Sequence, residues 1–206
     1  MTGSAQPAKR SEIVELALAR FYDGGFLATG VDSVIAGSGI SKRTLYKYFP
    51  SKDELIEEVL ATYAVSVGKT LFEPVHASGL EAKAKILMCF DTRREMLEAE
   101  CRGCLAIRGS QEFQGQSERL VLKCRELGAY VEAQFVNLCQ EAGLAQAQAL
   151  GMQITVLFQG ALLLSQAYGN SRPFDAAKAA TETLLADAAR GRLPEHATRR
   201  LLVTSV

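Results

Sequence analysis

Between Ser41 and Leu55 the chain reads SKRTLYKYFPSKDEL, which sets the cations Lys42, Arg43, Lys47 and Lys52 around two tyrosines with no acid before Asp53. Lysine and arginine neutralise phosphate and donate to guanine edges, while tyrosine hydroxyls reach phosphate and their rings touch thymine methyls. The chemistry this cluster suits is nucleic-acid binding; the plainer alternative is a solvated helix with ordinary surface lysines. A second candidate is Cys101-Arg-Gly-Cys104, with Cys89, Cys124 and Cys139 elsewhere. Zinc would need a second close pair, and His76 and His196 lie far off in sequence, so no metal site and no cofactor are expected. A redox switch would need an exposed, low-pKa thiolate, which Arg102 and Arg108 could favour. A C-x-x-C oxidoreductase would place its motif where a strand meets a helix, and no alternation of strands and helices appears. No nucleophile has a recognisable base beside it. The remaining reading of the cysteines is packing as small hydrophobes, and the chain is not expected to be an enzyme.

These residues must be held by something, and the apolar pattern is helical almost throughout. Ile13, Leu16, Ala17 and Phe21 recur at three and four over residues 11–23, a helix that stops at Gly24-Gly25. A short helix over Val31–Gly37 turns Val31, Val34 and Ile35 inward. Gly37 and Gly39 allow a tight turn, Ser41 is an N-cap, and a third helix over Lys42–Phe49 ends at Pro50. Ser51 and Glu54 form a capping box opening a fourth helix through Leu55, Ile56, Val59, Leu60 and Tyr63. Two short helices about a glycine turn make a helix-turn-helix. On the second of them Leu45 and Phe49 face the core, which leaves Lys42, Arg43, Thr44, Tyr46, Lys47 and Tyr48 to DNA.

The charge distribution agrees. The chain has 206 residues and zero formal net charge, but residues 1–52 hold seven basic side chains against four acidic ones. The remaining 16 basic and 19 acidic residues make a mildly acidic body. Apolar residues at 48% and charged residues at 22% are ordinary for a folded soluble protein and exclude wholesale disorder. Five cysteines do not make a disulfide framework and read as reduced thiols. The start, MTGSAQPAKR, has no apolar signal core, and the stretch from Ile154, broken by Gln159, Gly160, Ser165 and Gln166, is expected to fall short of a membrane span. A cytoplasmic location with no membrane contact is the expectation.

The segment Ile13–Leu55 resembles the N-terminal domain of the TetR/AcrR family of bacterial transcriptional regulators, most specifically in TLYKYFPSKDEL with Phe21, Gly24-Gly25-Phe26 and Gly39. The resemblance implies an all-α protein: a helix-turn-helix DNA-binding domain over residues 1–52, with an arm over 1–9, and a larger helical regulatory and dimerisation domain over 53–206. It places the six side chains of the third helix in the DNA groove and has Lys52 grip phosphate at the start of the fourth, where the helix dipole adds attraction. Ile35 and Ser38 stand where alanine is common, which implies a slightly wider crossing of the second and third helices. Gly30 stands where a Ser or Thr cap is common. RGCLAIRGSQEF resembles the start of the family's sixth helix.

Beyond residue 70 helices are expected at 80–100, 104–113, 117–142, 147–168 and 175–190. Leu120, Cys124, Leu127, Val131, Phe135 and Leu138 form one stripe, whereas the helix from 147 is apolar nearly all round and must bury two faces. The resemblance implies a four-helix interface between two copies, with Phe158, Leu162, Ala176, Ala180, Thr183 and Leu184 at the contact, matching near-palindromic double-stranded DNA operators. It further implies repression relieved by a small-molecule ligand, in a pocket drawn from Tyr63, Leu87, Cys89, Phe90, Leu105, Phe113, Leu127, Val131 and Phe135. A thiol-based switch at Cys101 and Cys104 is the alternative form of control.

Overall fold

The computed structural model describes residues 5–100 and 103–192. The helices are α1 (Ala5–Gly24), α2 (Val31–Ile35), α3 (Lys42–Tyr48), α4 (Lys52–Val67), a π-helical turn (Gly68–Phe72), α5 (Glu73–Ala77), α6 (Ala82–Glu100), α7 (Leu105–Glu112), α8 (Glu118–Glu141), α9 (Ala147–Tyr168) and α10 (Arg172–Ala189). No strand occurs among the described residues, so the expected all-α class holds. Helix α1 begins at Ala5, so most of the stretch expected to be an arm is already helical. The π-helical turn and α5 were not expected; the wider turn changes the helical phase, and Leu71 and Phe72 come in buried.

The residues form two compact units, Met1–Val67 with Leu105–Gly128 and Gly68–Cys104 with Ala129–Val206. The expected head over 1–52 lies inside the first. In that unit Ile13, Ala17 and Phe21 of α1, Val34 of α2, Leu45 of α3 and Leu55 and Val59 of α4 meet in one core. Phe26, from the turn after α1, packs at a tilt against Phe21 at 5.1 Å and Phe113 at 5.0 Å, so the chain leaving α7 at Phe113 is built into the same core.

The second unit is centred on rings. Phe158 of α9 packs edge-on against Phe90 at 5.3 Å, Phe135 at 5.2 Å and Phe174 at 6.0 Å. Helices α6 and α10 are joined by Lys178–Asp91 at 2.7 Å, Arg94–Asp175 at 2.9 Å and a hydrogen bond from Ser171 to Glu98 at 2.6 Å. Helix α9 has the expected bounds but, contrary to expectation, it does not fall short of a membrane span. Its 22 residues, with mean hydropathy 1.4 over the most apolar 18-residue window, are long and apolar enough to cross a membrane by length and composition. Its inner face instead packs within the unit, with Ile154, Phe158, Ala161, Leu162 and Ser165 buried.

Candidate nucleic-acid interface

Helix α3 is short, and its ends are fixed locally. Gly37 and Gly39 take φ of 77° and 74°, the left-handed region that a side chain would strain. Between them Ser38 Oγ donates to Ile35 O at 2.7 Å and accepts from Ile40 N at 3.1 Å, closing the turn. Ser41 caps the helix, its Oγ accepting from Thr44 N at 3.1 Å, and Phe49 N donates back to Leu45 O at 2.9 Å. The next helix opens on the serine half of the expected capping box, with Ser51 Oγ accepting from Glu54 N at 3.1 Å and donating to Glu54 Oε1 at 3.4 Å.

Because Leu45 and Phe49 are buried, the opposite face of α3 points outward. Lys42, Arg43, Tyr46 and Lys47 are exposed, and Thr44 and Tyr48 are half-buried. Thr44 Oγ1 is hydrogen-bonded to Ser41 Oγ at 2.8 Å, and Lys47 lies over the Tyr48 ring at 6.0 Å. Lys42 Nζ donates to Asp32 at 2.9 Å, and that contact raises its pKa. Lys52 is half-buried and donates to Leu27 O at 3.3 Å. Burial lowers its pKa, with the carboxylates of Asp53 and Glu112 opposing the shift. Arg10 of α1 sits 4.7 Å over the Phe49 ring and pairs with Glu58. Six of the seven side chains expected at DNA share this one helix, and Lys52 begins the next.

The nine side chains expected around a ligand divide between the units. Tyr63, Leu105, Phe113 and Leu127 are buried in the first. Cys89, Phe90, Val131 and Phe135 are buried in the second, with Leu87 half-buried. The expected interface needs a correction at α9. Phe158 and Leu162 are only 2% and 3% exposed within the single chain, where Phe158 fills the ring cluster, so neither side chain is offered to a second copy. The outward side of α9 carries Val156, Leu163, Leu164 and Tyr168. Two open grooves run between that side and α10, one of about 670 Å³ lined by Met152, Gln153, Val156, Leu157, Ala180, Thr183 and Leu184. Ala176 lines the other groove.

The thiols divide as well. Cys89, Cys124 and Cys139 are buried and Cys104 is half-buried, while Cys101, Arg102 and His196 lie outside the described residues. Burial pushes the Cys89 and Cys139 thiols up to about 12. Among the described residues no three His, Cys, Asp or Glu side chains are grouped to hold a metal. Arg108 is not directed to a thiol: it bonds Glu112 at 2.9 Å and Tyr22 O at 2.7 Å. Sequence reasoning missed the role of this pair, since Tyr22 O and Leu27 N lie 86 and 85 residues away, and it missed Asp32, ten residues before Lys42.

A capped basic helix after a glycine turn, in a chain that is helical among its described residues, defines a helix-turn-helix protein. Residues 13–59 match the family model described as bacterial regulatory proteins, tetR family. The regulator YxaF of Bacillus subtilis, described as an uncharacterised helix-turn-helix transcriptional regulator, is 31% identical over 167 residues, 76% of this chain and 84% of that one. The chain belongs to the TetR family of bacterial regulatory proteins. The transcriptional repressor KstR2 of Rhodococcus jostii is 29% identical over 97 residues, so the match spans about half the length of each chain, 47%. A TetR-family regulator from Streptomyces coelicolor shares the fold with a TM-score of 0.81 at 18% identity, over 87% of this chain and 95% of that one. Both curated relatives are described as transcriptional regulators.

Proposed function

We propose that the chain is a DNA-binding transcriptional regulator that works as a homodimer, represses from a near-palindromic operator and is released by a small-molecule ligand. The observation that carries the reading is the outward face of α3, where Lys42, Arg43, Tyr46 and Lys47 stand exposed on a helix whose other side is locked by Leu45 and Phe49. Such a face can enter a major groove, and Lys52 at the start of α4 can anchor phosphate. Pairing of two copies through α9 and α10 is supported by the apolar grooves flanking Val156 and Leu157. Two recognition helices related by a twofold axis read a near-palindrome. Release follows where a ligand favours a geometry in which the two helices no longer match the half-site spacing. Family membership supports control by a small molecule. A thiol switch draws no support from Cys89, Cys124 or Cys139, which are buried.

The test is selection of duplexes from a random pool by the purified protein, followed by Arg43→Ala. The guanidinium can bond a guanine edge twice, so its loss should reduce affinity for the selected site by about 1–3 kcal/mol and relax preference at one base position. Equal losses on selected and random duplexes would remove Arg43 from base readout. For assembly, Leu164→Glu puts a charge on the outer face of α9 and should shift sedimentation from dimer to monomer at micromolar concentration. A folded variant that stays dimeric would move the interface elsewhere.

A further inference from the structure

The matched segment ends at residue 59, yet two side chains of α7 close on the turn between α1 and α2. Arg108 Nη1 donates to Tyr22 O at 2.7 Å, a carbonyl in the last turn of α1, where helix carbonyls lack intrahelical donors. Its Nε donates to Glu112 Oε1 at 2.9 Å, which leaves Oε2 to accept from Leu27 N at 2.8 Å. From the other side Lys52 Nζ donates to Leu27 O at 3.3 Å. Residue 27 is thus held by a carboxylate from α7 at its N–H and by the ammonium of α4 at its carbonyl. The turn is shaped to admit the pair. Gly25 has φ of 82°, and a Cβ there would come within 2.7 Å of Glu112 Oε1 and 2.8 Å of Arg108 Nη2. Leu105–Gly128 belongs to the same compact unit as the head.

We propose that Glu112 and Arg108 are positioning residues for DNA binding, which fix the α1–α2 turn and, through the Leu27 carbonyl, aim the Lys52 ammonium at phosphate. The proposal rests on the reading of Lys52 as a phosphate anchor. Its consequence is that residues 13–59 are not a self-sufficient DNA-binding head: a carboxylate some fifty residues further on completes it. Bulk electrostatics predicts the opposite sign for Glu112. Removing an acid near a phosphate-binding face strengthens DNA binding if charge alone matters. Removing it weakens binding if the acid positions Lys52.

The experiment measures affinity and its salt dependence on a random-sequence duplex, using the full chain, with thermal melting to confirm folding. Lys52→Ala should lower the slope of log affinity against log salt by about one unit. Glu112→Ala should lower it in the same direction, with affinity down about three- to tenfold at low salt. In the Lys52→Ala background Glu112→Ala should change nothing further. Glu112→Gln removes the same charge but keeps an acceptor for Leu27 N–H, so it should stay within about twofold of the parent; it serves also if the alanine variant does not fold. Tighter binding by Glu112→Gln and Glu112→Ala, or an undiminished effect of Glu112→Ala without Lys52, overturns the positioning role while leaving Lys52 as an anchor. A Lys52→Ala protein with an unchanged slope removes the anchor itself, and the proposal falls with it.

Discussion

Phe158 and Val156 lie two residues apart on α9 and make opposite predictions. The Phe158 ring is 2% exposed, with three aromatic neighbours at centroid distances of 5.2–6.0 Å. Truncating a buried phenylalanine to alanine costs about 3–5 kcal/mol, and loss of ring pairs worth roughly 0.5–1.5 kcal/mol each points to the upper part of that range. Against a typical total of about 5–15 kcal/mol, Phe158→Ala removes about a quarter or more of the stability. Val156 is 63% exposed in the protomer, so Val156→Ala should change protomer stability by no more than about 0.5 kcal/mol. Guanidinium denaturation followed by circular dichroism reads both as midpoint shifts at constant slope. The proposed pairing of two copies would add a concentration-dependent term, so the measurement is repeated across dilution: the Phe158 loss should persist, and any Val156 loss that arises from pairing should fade. A loss below about 1 kcal/mol for Phe158→Ala, with a larger dilution-independent loss for Val156→Ala, would mean that α9 is turned the other way, and the described core would be refuted.

Asp32 restrains Lys42 through an ion pair whose side chains are 74% and 54% exposed, so solvent screening leaves it a weak tether. Asp32→Asn should raise affinity for random duplexes up to about fivefold and lower the ratio of selected to random binding; fluorescence anisotropy checks it, and persistence of the gain in a Lys42→Ala background would assign it to general charge instead. For the thiols, Cys89 and Cys139 are pushed from 9.0 to about 12, so the unfolded chain loses these protons first. Stability they contribute is complete below pH ~9 and falls as pH rises from there toward 12, by as much as two protons of slope. Denaturation midpoints at neutral pH and above pH ~9 check the sign, and replacing both cysteines by valine should flatten the alkaline decline.

How far each determinant reaches along the chain decides why the head was legible in the sequence and other parts were not. The turn at Gly39, the cap at Ser41, the inward pair Leu45 and Phe49 and the box at Ser51 and Glu54 each act within four residues, so their pattern alone positions α3 and orients its basic face. Helix α9 offers no such pattern. Apolar residues surround it, and the choice between Phe158 inward with Val156 outward and the reverse is made by rings from α6, α8 and α10 that sequence spacing does not locate. Arg108 and Glu112 hide for the same reason in polar form. Their spacing of four reads as an ordinary surface ion pair, while the groups that give it purpose, Tyr22 O and Leu27 N, lie 86 and 85 residues away. A substitution at position 112 would therefore look neutral by any local rule, and the salt slope of DNA binding is the measurement in which its distant partner would appear.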